Sequence, residues 1–126
     1  MKRRVFLFAL CVCMASPVLA QSVKLKGHEV AALLTGNTIT GKWEGMPYRQ
    51  FFDADGSTIY AQSEVRSTVG KWRIDAERDE YQSIWPRDAD WEGWYVMEYA
   101  GQFFWVSKST PPTPFVVVEG QQLVGE

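Results

Sequence analysis

The sequence predicts an all-β domain, a small antiparallel meander or barrel of about seven to eight short strands with one short N-terminal helix. Three observations carry this reading. From Asn37 onward, short runs rich in β-branched and aromatic residues recur at close intervals. Turn-forming residues separate them: Gly45-Met46-Pro47, Asp53 to Gly56, Ala100-Gly101-Gln102 and the proline-rich residues 110–114. Only one segment, residues 27–35, carries helical spacing.

The first twenty residues read as an address. Lys2, Arg3 and Arg4 precede an apolar stretch from Val5 to Met14, and Val18-Leu19-Ala20 supplies small residues for cleavage. This is the pattern of a secretory signal peptide cut after Ala20. The apolar stretch is shorter than the about 20 residues that cross a bilayer. Leu10 precedes Cys11 and Val12 precedes Cys13, where lipid attachment wants a small residue, so no stable membrane anchor is expected. The expected layout is a cleaved signal peptide (1–20), a single β domain (21–120) and a frayed tail (121–126), located in the periplasm or secreted.

Removing the leader changes the composition. Residues 21–126 keep 10 of the 13 basic residues and all 15 acidic ones, a formal charge of −5. A negative chain without a basic run is a poor partner for nucleic acid or an anionic membrane. Both cysteines leave with the leader, and with them any disulfide, thiol chemistry or cysteine metal ligand. Cohesion falls to the core. Six Trp, five Tyr and five Phe remain, and an aromatic side chain buries about 150–250 Å².

In the helical segment Val30, Leu33 and Leu34 share a face, and Gly36 stands where a glycine ends a helix. At two turns it needs a surface to dock on. Strands are expected over 37–44, 48–52, 57–62, 68–75, 81–85, 94–99, 103–107 and 115–119. Asp53 to Gly56 makes a tight turn, with Gly56 free to take positive φ and the Asp side chains bonding nearby backbone. Residues 94–99 and 103–106 are apolar on both faces, so those strands should be covered on two sides, by the helix or by a partner. Gly-Lys-Trp occurs at 41–43 and again at 70–72, a hint of two similar hairpin units.

Two resemblances rest on these residues. Phe52, Asp55-Gly56 and Gly70-x-Trp72 resemble the hairpin grammar of lipocalin-like barrels. The order Leu33-Leu34-x-Gly36-Asn37-Thr38-x-x-Gly41, then Tyr48-Arg49-x-Phe51-Phe52, Asp55-Gly56, Gly70-x-Trp72 and Trp94-Tyr95 is similar to a family of small exported proteobacterial proteins with no assigned activity. That resemblance implies a cysteine pair near Tyr81 and Trp94 in other members; Gln82 and Gly93 stand there in this chain. It implies no catalytic residue.

No catalytic or metal constellation emerges. Asp88, Asp90 and Glu92 start like a calcium loop, but the twelfth position is Tyr99, which cannot close one, and a solvated acidic connection is the better reading. His28 is the sole histidine, expected solvated at the helix start. No pair among the 15 acidic residues is singled out, so a two-carboxylate hydrolase is the weaker alternative. Arg49 and Arg73 are placed to stack on Trp43 or Trp72. The aromatic cluster has functional pull, although core filling accounts for most of it. Trp85, Arg87 and Trp91 belong to or flank the long connection 86–93, and Trp94 follows it. These four are the expected contacts for a protein or small-molecule partner at one barrel end. The expectation is a non-enzymatic exported binding module without cofactor; a lipocalin-like carrier of a small hydrophobic molecule is the alternative.

Overall fold

Strand alternation and short turns bring the chain back onto itself. A computed structural model describes residues 21–63 and 65–124, so the expected signal peptide lies outside the described residues. In chain order the elements are β1 (Val23–Lys24), α1 (Gly27–Leu34), β2 (Thr38–Trp43), β3 (Met46–Phe52), β4 (Ser57–Gln62), β5 (Thr68–Asp75), β6 (Glu80–Ile84), β7 (Glu92–Tyr99), β8 (Gln102–Val106) and β9 (Thr113–Val118). From β2 to β9 each strand pairs antiparallel with the next, and β9 returns to β2 with Thr38 opposite Val118. The expected all-β architecture is therefore a closed eight-stranded up-and-down barrel. One further strand, β1, pairs with β7 through Val23 opposite Glu98.

Cross-strand partners share a face of the sheet. Ile39, Gln50 and Tyr60 are successive partners, as are Ile74, Tyr81 and Trp94, and these rows face inward. Phe52 is fully buried at the centre, with Trp72 5.3 Å and Tyr81 5.7 Å from it, both edge-on. Trp105 continues the stack between Tyr81 (4.8 Å) and Phe115 (4.7 Å). The Trp72 indole N–H donates to the Asp53 carbonyl at 2.9 Å, which satisfies the polar end of a buried ring.

The helix seals one end. Val30 and Leu34 are fully buried, and the segment contacts β5 and β6. Gly27 N–H donates to Asp79 Oδ1 at 2.7 Å, and Gly27 lies so close to Ile74 and Ala76 that a Cβ would come within 3.2 Å of both. The Glu29 carboxylate accepts from the Lys26 N–H, and Gly36 at φ +78° turns the chain into β2. The helix therefore does not cover the outer face of β7 and β8, as the two-faced apolar pattern suggested. There Lys24 Nζ stands 3.8 Å over the Tyr95 ring, while Tyr99 stays exposed.

Other expectations are corrected. The chain beyond Gly120 does not fray at once: Gln122 N–H donates to Thr38 Oγ1 (2.8 Å), and Arg49 donates to the Gln122 carbonyl (2.6 Å). Arg49 is thus engaged with the tail, and Arg73 stacks on Trp91 at 3.9 Å rather than on Trp43 or Trp72. The two Gly-Lys-Trp triplets share an in-and-out register, but β2 and β5 run in opposite directions, so Trp43 and Trp72 reach opposite ends. Gln82 and Gly93 are direct cross-strand partners.

Candidate functional site

The end of the barrel opposite the helix is hollow. A cavity of about 400 Å³ opens there, at the finish of β2 and β4 and the start of β3, β5 and β7. Its walls are rings. Trp43 and Trp94 meet edge-on at 6.0 Å, Tyr48 stacks on Tyr60 at 5.1 Å, and Tyr60 meets the edge of Trp85 at 6.1 Å. Tyr81 and Trp105 lie deeper, where the cavity meets the packed core.

The polar lining is sparse and ordered. Gln50 is 7% exposed, and its Nε2 donates to Thr58 Oγ1 (3.0 Å) and to the Tyr81 hydroxyl (3.2 Å). With both amide hydrogens spent, the Oε1 carbonyl is what this side chain can offer the cavity. Gln62 Nε2 donates to the Tyr60 hydroxyl at 3.2 Å. Glu92 supplies the one carboxylate among the described lining residues, which include no Lys, Arg or His. Burial pushes the Tyr81 phenol up to about 12, and the Glu92 charge adds in the same direction. Burial also raises Tyr48 strongly and Tyr60 less, the Glu44 charge adding at Tyr60. These phenols are neutral near pH 7.

Of the four expected site residues, the structure brings two to the cavity. Trp85 folds over the mouth and Trp94 forms a wall. Trp91 lies on the outside of the barrel beneath Arg73, and Arg87 is exposed in the connection without lining the cavity. Strand parity separates them: the alternation that sends Trp94 inward sends Gly93 outward, to the face where Trp91 stacks. Trp43, Tyr48, Gln50, Tyr60 and Trp105 line the cavity without having been singled out as contacts from the sequence. Strand parity was the available signal, since alternation puts Tyr48, Gln50 and Phe52 on one side.

The acidic candidates are turn formers. Asp88 Oδ2 accepts from the Trp85 N–H at 3.0 Å. Asp55 accepts from the Ser57 hydroxyl and N–H, which holds its carboxyl below the usual carboxylate range. No group of three or more potential metal ligands occurs among the described residues. A second, broader groove of about 840 Å³ lies against β2, β3 and β9, bordered by Leu123 and Val124. No family model, no curated protein and no solved structure matches this chain.

Proposed function

We propose that the chain is an exported, non-enzymatic binding module that takes a small molecule into the aromatic cavity at the open end of its barrel. The observation that carries this is the uneven filling of the interior: packed solid beneath the helix, hollow and ring-lined at the mouth. Ligand sites are typically concave, mostly apolar and of about 300–1,000 Å³, with a few placed polar groups. The leader pattern supports export. A two-carboxylate hydrolase needs a facing acidic pair, and Glu92 is alone among the described lining residues. The carrier alternative uses the same cavity, with Gln50 and Glu92 favouring a cargo that carries a polar group.

Intrinsic fluorescence tests this directly, because Trp43, Trp85, Trp94 and Trp105 line the cavity. A panel of small amines, sugars and aromatic compounds should contain a member that saturably changes the emission. Trp94→Ala should abolish that binding, while Trp91→Ala leaves its affinity unchanged. Binding that survives Trp94→Ala but is lost in a folded Trp91→Ala protein would overturn the assignment.

A further inference from the structure

We infer that the cavity selects a small organic cation, an alkylated ammonium held against ring faces with Glu92 as its counter-charge. This rests on the cavity being the binding site, as proposed above. The argument begins with the sign of the lining. Aromatic faces carry negative charge density, and seven rings line this cavity. Glu92, exposed at the rim where β7 begins, is the charged side chain of the lining, and no cationic side chain accompanies it there among the described residues. Glu44, in the turn between β2 and β3, adds negative charge felt at Tyr60. The cations of the open-end connections, Arg66, Arg87 and Lys108, are exposed and do not line the cavity.

Hydrogen bonding points the same way. The Gln50 amide hydrogens are committed to Thr58 and Tyr81, and a Gln62 amide hydrogen to Tyr60. What remains at Gln50 and Glu92 is acceptor oxygen. A carboxylate or phosphate ligand would meet a like charge at the rim and find no cation in the lining to pair with, so it is disfavoured on both counts. A neutral sugar would gain stacking but no use of the uncompensated carboxylate. An alkylated ammonium is more weakly hydrated than a primary one, so it loses less on leaving water, and it finds both ring faces and an opposite charge at the rim.

The deciding experiment titrates the folded chain with choline and with its neutral carbon isostere, in which a tert-butyl group replaces the trimethylammonium. Choline should bind at least about tenfold more tightly, and Glu92→Gln should remove part of that factor, the share left by the ring faces persisting, while leaving the isostere's affinity unchanged. If the isostere binds as well as choline, or only a neutral or anionic member of the panel binds, the cation reading fails and the cavity remains the site. If no compound perturbs the cavity tryptophans, both readings fail. Should Glu92→Gln not fold, the comparison of choline with its isostere on the native chain decides alone. Cosedimentation with phosphatidylcholine vesicles separates the sources: recovery with the vesicles, weakened in Glu92→Gln, assigns a lipid headgroup, and choline binding without it assigns a free cation.

Discussion

Gly70 occupies the barrel wall where the Trp85 ring packs against it. A Cβ at this position would stand 2.5 Å from Trp85 Cε3 and 2.7 Å from the Ile84 carbonyl oxygen. The indole could swing away, but the carbonyl is backbone and cannot. Gly70→Ala should therefore cost about 1–3 kcal/mol and expel Trp85 from the mouth. Thermal melting and the Trp85 contribution to fluorescence would check this; an unchanged melt and spectrum would show that the wall has slack. The glycine was visible in the repeated Gly-Lys-Trp, yet its reason was not, because the ring it accommodates comes from the end of the neighbouring strand β6, fifteen residues on. Gly41 differs: the nearest atoms to its Cβ would be 3.1 Å away, and one is the movable Tyr48 hydroxyl.

Among the elements, α1 has the clearest single task. Eight residues make too short a helix to persist alone in water, so its order depends on Val30 and Leu34 filling the barrel end. Leu34→Ala should cost about 2–5 kcal/mol, read from the urea midpoint. Ligand affinity should stay the same in the folded fraction, because the cavity lies at the opposite end. The helix was legible from its i, i+3, i+4 pattern and terminal glycine, and β4 and β5 from β-branched and aromatic runs set between turns. Its docking place was not legible, since two-faced apolar strands fit either a covered wall or the inside of a closed barrel. β1 was missed because two residues carry no periodicity and its pairing is decided by β7.

For the molecule as a whole, the buried phenols set an alkaline limit. The folded pKa of Tyr81 lies near 12 and that of Tyr48 is also raised, against about 10 in an unfolded chain. The unfolded state thus loses these protons first as pH rises. Their contribution is intact below pH 10 and declines above it, by about 1.4 kcal/mol per pH unit for each such tyrosine. Denaturation midpoints followed alongside phenolate absorbance should fall together above pH 10; a flat stability curve there would mean the phenols are reached by water. That aromatic rings fill the core was legible from composition. Closure of β9 on β2 and the hollow end were not, because both depend on how eight strands tilt together and not on any one of them.

A vessel stoppered at its base would trade with its surroundings at the other end. Here α1 is the stopper, and the connections after β4 and β6 stand at the rim. A ligand of the proposed kind would enter and leave past that rim, so altering those connections would scale arrival and departure alike. Retention time and occupancy then become separately adjustable, the first at the lip and the second in the walls.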